Sequence, residues 1–308
     1  MTRVSTADGW NSALMNLMNA QSRLFDAQNQ VSTTKVATDL KGYGRSAESL
    51  TAFKSAQARL GGFVANGEAV ASRLESQDLA LTNLGDAADG ARQAIAESLA
   101  SGRADALMID LEGRFQQALD SLNAKHEGRF LFGGARTDSS PVDADTLADL
   151  TAAGSVDDLF SNDTLKAASR LDDYTVVETG FLANELGRDL FETFRQLKAF
   201  NDGPDGPFAG QLTEVQQDFL EGMIGQFQSA HEGAVNAGAR NGSLQTRVET
   251  HVDSQKDQMD ALDGIIGKRT DVDMAEALTR LQQQQLAVQA SAQVVSQLRD
   301  VSLLDLLR

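Results

Sequence analysis

The chain has 308 residues, no cysteine, and 44 acidic against 27 basic side chains, a formal charge of −17. That balance argues against general affinity for nucleic acid or for anionic membranes, both of which need a basic surface, and the lack of cysteine removes disulfides, thiolate metal sites and cysteine nucleophiles. Aromatics are 6% of residues, with 14 Phe against one Trp and two Tyr, a mix that suits packed helices better than a sugar-binding cleft, and no apolar run approaches the ~20 residues of a membrane span.

The opening Met1-Thr2-Arg3-Val4-Ser5-Thr6-Ala7-Asp8 lacks the apolar stretch of a secretory signal, which taken alone points to the cytoplasm. Trp10, Leu17, Leu24 and Val31 then recur every seven residues, interleaved with Leu14, Gln21 and Gln28. This spacing predicts a helix that packs lengthwise against another. A longer seam follows through Leu60, Phe63, Val70, Leu74, Leu81, Leu84, Ala88, Ala91 and Ile95, with Gly67 and Gln77 out of character. Met108, Leu111, Phe115, Ala118 and Leu122 predict a second helix at about 104–127. Gly128-Arg129-Phe130-Leu131-Phe132-Gly133-Gly134 breaks the pattern as a glycine-bracketed turn and strand-like segment. Residues 135–180, with Pro141, many Asp and the β-leaning Tyr174-Thr175-Val176-Val177, predict a small mixed insertion facing solvent.

Helix returns at about 181–200 through Leu186, Leu190, Phe194 and Leu197, and the turn formers of Asn201-Asp202-Gly203-Pro204-Asp205-Gly206-Pro207 end it. Another long helix is predicted from Thr213 to about Ile266, and Asp271 or Asp273 would cap the last one. In that last helix Leu281, Val288 and Val295 repeat the heptad of the N-terminus, interleaved with Leu278, Gln285 and Ala292. All three prolines lie between 141 and 207, leaving 1–140 and 208–308 free of the strongest helix breaker.

The expected fold is therefore mainly α: an elongated antiparallel coiled-coil bundle of long helices formed by paired N- and C-terminal regions, with a small mixed or β-containing central insertion. Its expected parts are a terminal assembly domain (1–40 and 272–308), a helical rod (41–134 and 181–271) and a surface insertion (135–180). The seam residues Leu14, Leu17, Leu24, Val31, Leu278, Leu281, Val288 and Val295 are the expected assembly interface.

No motif for chemistry survives inspection. Gly264-Ile265-Ile266-Gly267-Lys268-Arg269-Thr270 lacks the first glycine of a phosphate loop, since Leu262 stands there, and reads as an interhelical turn. His126-Glu127 and His231-Glu232 begin like zinc-protease helices, but Phe130 and Val235 occupy the place of the second histidine. Asp271-Val272-Asp273 complements a helix start without any metal. No catalytic residue, cofactor site or metal site is expected, and the chain is not expected to be an enzyme.

Several stretches, taken in order, resemble the bacterial flagellin superfamily: Val31-Ser32-Thr33-Thr34-Lys35-Val36 after a Gln-rich helix, the Gly128–Gly134 turn, Asp273-Met274-Ala275-Glu276-Ala277, Gln289-Ala290-Ser291-Ala292-Gln293-Val294, and the ending Ser302-Leu303-Leu304-Asp305-Leu306-Leu307-Arg308. The segments Gln30-Val31-Ser32-Thr33-Thr34 and Asp39-Leu40-Lys41-Gly42-Tyr43-Gly44 depart from the patterns of true filament flagellins. The Gly128–Gly134 turn is more similar to the hook–filament junction branch, the third hook-associated proteins. The resemblance implies a structural adaptor between hook and filament, with a divergent filament flagellin as the alternative and a cytoplasmic coiled-coil scaffold ranked lower. It further implies export through the flagellum's own type III apparatus without a cleaved signal, an extracellular location, and self-association in a ring or helical assembly. Its partners would be a neighbouring hook-associated protein, flagellin and an export chaperone, with no nucleic acid and no membrane insertion. Leu298, Leu303 and Leu304 are the expected chaperone contacts.

Overall fold

The computed structural model describes the backbone of residues 2–306 and the side chains of residues 8–298. The protein is mainly α, with long helices paired antiparallel and two small two-stranded antiparallel sheets. The chain forms two compact units, Met1–Arg59 with Asp257–Arg308, and Leu60–Lys256.

In the first unit α1 (Thr2–Thr33) packs along α7 (Met274–Leu306), and a 3-10 turn (Leu40–Ser46) leads into α2 (Ala47–Ser101). The start of α2 runs against the end of α6 (Glu214–Thr270). There the Arg269 guanidinium donates to Ser49 Oγ and lies 4.9 Å over the Phe53 ring, while Gln57 donates to Asp263. The stretch Gly264–Thr270 is thus the helical end of α6 and not the interhelical turn expected from its glycines. The turn begins only at Asp271, and the next helix starts with Asp273 accepting from the Ala275 and Glu276 amides. That is an N-cap, which satisfies donors the helix itself leaves open.

In the second unit the rest of α2 and α6 pair antiparallel, as the sequence of contacts shows: Glu68 with Lys256, the Leu74 carbonyl with Asn241 Nδ2, the Gly85 carbonyl with His231 Nδ1. The heptad seam of α2 is buried from Val70 through Leu74, Leu81, Leu84, Ala88 and Ala91 to Ile95. The two odd positions sit on it for different reasons. A Cβ at Gly67 would come 2.3 Å from Val252 Cγ2, so glycine lets the helices approach there. Gln77 is fully buried with neither side-chain atom hydrogen-bonded.

Helix α2 ends in a left-handed glycine, Gly102 (φ 67), with Arg103 N–H donating back to the Ser98 carbonyl, the hydrogen-bonded stop that glycine permits. Helix α3 spans Leu107–Leu122, shorter than the helix expected to 127. The cause is local: Glu127 (φ 50) and Gly128 (φ 79) form a two-residue turn of the kind that closes hairpins. It joins β1 (Lys125–His126) to β2 (Arg129–Phe130). After it come α4 (Leu147–Ala152), a 3-10 turn (Val156–Leu159), the hairpin of β3 (Ala168–Arg170) and β4 (Val176–Glu178), and α5 (Ala183–Asn201).

Phenylalanines tie these helices together. Phe115 of α3 lies 5.1 Å from Phe191 and 5.7 Å from Phe194 of α5, and Phe194 lies 5.0 Å from Phe227 of α6. Residues 135–180 add Val142, Leu147, Leu150, Val156 and Leu159 to the same core. That stretch is therefore partly structural, not wholly turned to solvent.

Candidate assembly surface

The α1–α7 pair is the surface that most needs explaining, because large apolar side chains stand exposed on it. Trp10, Leu17, Leu24 and Val31 lie half-buried on the α1 seam. The places between them go to Ala13, Ala20 and Ala27, all buried, and not to Leu14, Gln21 and Gln28. On α7 the half-buried Leu281, Val288, Val295 and Leu298 alternate with Ala277, Gln284 and Ser291, not with Leu278, Gln285 and Ala292. The seven-residue repeat is the same; the interleaved set is displaced by one residue on each helix. Five of these six places hold alanine or serine, which let two backbones draw close, and Ala277 is fully buried; Gln284 is the exception.

The displacement leaves larger residues outside. Leu14 is 41% exposed, Met18 61% and Phe25 63%, and these three fall within about 40° of each other around α1 at 100° per residue. Met15 is exposed on their flank, and Leu278 and Leu286 are exposed on α7. Met15, Met18 and Phe25 were not singled out from sequence, although apolar residues standing off a heptad are a signal for a second apolar face. Leu303 and Leu304 lie outside the residues whose side chains the structure describes.

Where α1 ends, the chain is pinned to the α6–α7 turn. Thr34 adopts φ 59, which is unusual for a β-branched residue, and its carbonyl accepts from Val272 N–H while Val36 N–H donates to Thr270. Between these bonds Lys35 pairs with Asp271. The Lys35 hydrogen bond, helped by the Thr270 hydroxyl, holds the Asp271 carboxyl below its usual range. Gln30 donates to the Val36 carbonyl and accepts from Arg280, which also pairs with Glu276.

Among the described residues no group of three His, Asp or Glu could hold a metal ion, and no helix is long and apolar enough to cross a membrane. His126 Nδ1 lies 2.9 Å from Ser76 Oγ and His231 sits on the Gly85 carbonyl, both within ordinary packing. The depressed carboxyls Asp89 and Glu192 are explained by hydrogen bonds from Arg92 and Arg195 one turn along their own helices.

Residues 224–307 match the sequence model of the bacterial flagellin C-terminal helical region. One similar solved structure is a provisionally assigned flagellar hook-associated protein of Vibrio parahaemolyticus, with TM-score 0.60 and 13% identity, covering 73% of this chain and 97% of that one. Another is FlgL of Bacillus cereus, with TM-score 0.53 and 17% identity, covering 70% and 97%. At such identities the likeness is one of fold. No curated protein matches the chain.

Proposed function

We propose that this chain is a structural subunit of a bacterial flagellum, outside the cell, and within it an adaptor joining hook to filament. The observation that carries the proposal is the α1–α7 unit, where an alanine-seamed helix pair leaves Leu14, Met18 and Phe25 largely exposed. An apolar row of that kind on a helix pair is a surface for neighbouring subunits. The fold shared with hook-associated proteins supplies the direction of the reading. Leu17, Leu24, Val31, Leu281, Val288 and Val295 shape the pair, while Leu14 and Leu278 stand where a neighbouring copy, a hook-associated protein or a flagellin would meet it.

Export through the type III apparatus implies that the α1–α7 pair forms after transit. A chaperone would then hold the C-terminal stretch first, Leu298 included, in a groove that α1 later replaces. Titrating a peptide of residues 270–308 against the candidate chaperone tests this, and undiminished binding by a subunit lacking those residues would sink it.

The decisive test of the main proposal is incorporation. Leu24→Asp places a charge in the pair at a cost of several kcal/mol and should keep subunits out of flagella while the central unit still folds. Normal incorporation of that variant would remove the terminal pair from assembly. A filament flagellin is the second reading, favoured by the family match at 224–307. Electron microscopy separates the two: extensive self-polymerisation of purified chain favours flagellin, short or no assemblies the adaptor.

A further inference from the structure

The Gly128–Gly134 segment does more than turn the chain. Arg129, Phe130, Leu131 and Gly134 line a cavity of about 640 Å³ in the central unit, opposite Asn66 and Arg73 of α2. Its structure is fixed on several sides. The Glu127–Gly128 turn sets the hairpin, Ser76 meets His126, Asn66 donates to the Arg170 carbonyl, and Lys125 lies 4.3 Å over Phe130. Gly134, at φ 66, would bring a Cβ to 2.8 Å of the Asp163 carbonyl oxygen, so backbone closes that wall.

Arg73 is the anomaly. It is half-buried, and burial pushes its guanidinium below its usual value, while it forms no ion pair among the described residues. Every other arginine so placed would be expected to find an anion, because a desolvated charge is costly unpaired. Arg129, exposed at the mouth, also forms no ion pair among the described residues. Glu127 at the turn is the one carboxylate in the lining, set against two arginines. In a chain of net charge −17, this is a cationic hollow in an anionic surface.

We propose that this cavity receives an Asp or Glu side chain from a second copy of the chain, with Arg73 taking the carboxylate and Arg129 closing over it. Charge complementarity selects the occupant: each copy presents an acidic surface, and a guanidinium grips a carboxylate through two parallel hydrogen bonds. The proposal rests on the subunit reading, which sets copies side by side, but it concerns the central unit and not the terminal helices.

Sedimentation of the purified full chain over a range of concentrations tests it. Wild-type chain should self-associate, more weakly as salt rises from about 50 to about 500 mM, as a charge-steered contact requires. Arg73→Met, which keeps the bulk of the stem, should associate roughly tenfold more weakly and lose most of the salt dependence. Its melting temperature should equal or exceed that of wild type, which shows that the fold is intact. Association of Arg73→Met equal to wild type, or a wild type monomeric at every concentration, overturns the proposal. Thermal stabilisation by citrate or phosphate that Arg73→Met abolishes, with self-association unchanged, also overturns it by assigning the site to a small anion. Leu24→Asp in the same experiment keeps the two readings apart. The cavity contact should persist in it, whereas incorporation into flagella is what its terminal pair should lose.

Discussion

The two units solve the same problem, holding long helices together, with opposite side chains. In the central unit α2, α3, α5 and α6 surround Phe115, Phe191, Phe194 and Phe227, all completely or almost completely buried. In the terminal unit α1 and α7 meet across Ala13, Ala20, Ala27 and Ala277, flanked by leucines and valines that stay half-exposed. Two helices have only each other, so each can bury one narrow stripe and leaves the rest of its circumference to solvent. A four-helix arrangement closes around large rings and hides them. The lesson is that the heptad alone does not report stability: the same repeat serves a closed core in one place and a half-finished surface in the other. Helices of this kind draw most of their stability from packing, so the terminal pair should open more readily than the central unit.

Phe194→Ala should have the largest effect. It removes a fully buried ring that touches both Phe115 and Phe227, and such truncations cost about 3–5 kcal/mol. Chemical denaturation followed by circular dichroism measures it, and a loss below about 1 kcal/mol would undo the contrast between the units. Ala20→Leu comes next. It forces three extra carbons into the α1–α7 seam and should cost about 1–3 kcal/mol, seen as faster amide exchange along α1. Leu14→Ala, nearly two turns away and outside the seam, should stay within about 0.5 kcal/mol. If the two substitutions had equal effects, the alanines would not be the contact. A smaller gain is expected from Gln77→Leu. This amide is buried without a hydrogen-bond partner, so an apolar replacement should stabilise the central unit by about 1 kcal/mol. Destabilisation by Gln77→Leu would instead give the glutamine a register-setting role.

Much of this was legible because heptads are long-range patterns that local detail cannot hide. The helices of α2, α5, α6 and α7 follow from periodicity and from where proline is absent. What the sequence concealed was the choice between neighbouring positions. Leu14 and Leu278 look like better seam residues than Ala13 and Ala277, because burial scales reward size. A close helix pair rewards its absence. Residues 135–180 misled for the reverse reason: Leu147, Leu150 and Val156 stand in short elements without a repeat, yet they complete the central core. The end of α3 was hidden by His126 and Glu127, which continue a helix acceptably until Gly128 imposes its turn. Arg73 could not have been found from sequence, since its interest lies in the missing carboxylate and not in the residue.

The smallest effect concerns the pin between α1 and the α6–α7 turn. Asp271 has its carboxyl held below the usual range, chiefly by the Lys35 hydrogen bond. A carboxyl depressed in the folded state contributes stability above its unfolded value, near 3.9, and that contribution fades as pH falls through the lower folded value. Both side chains are well exposed, so the effect on global stability is slight. It should show locally. Below about pH 4 the Val36 amide, which donates to Thr270 beside the pair, should gain exchange rate relative to the intrinsic acid dependence. Lys35→Met should raise exchange at this amide at neutral pH and flatten its response to acid. The central unit has its own depressed carboxyls at Asp89 and Glu192, held by Arg92 and Arg195, and its acid response should be the same in both proteins. An identical acid response of Val36 with and without Lys35 would show that the backbone bonds of Thr34 and Val36 hold this corner unaided, and that the terminal unit is pinned by its turn and not by charge.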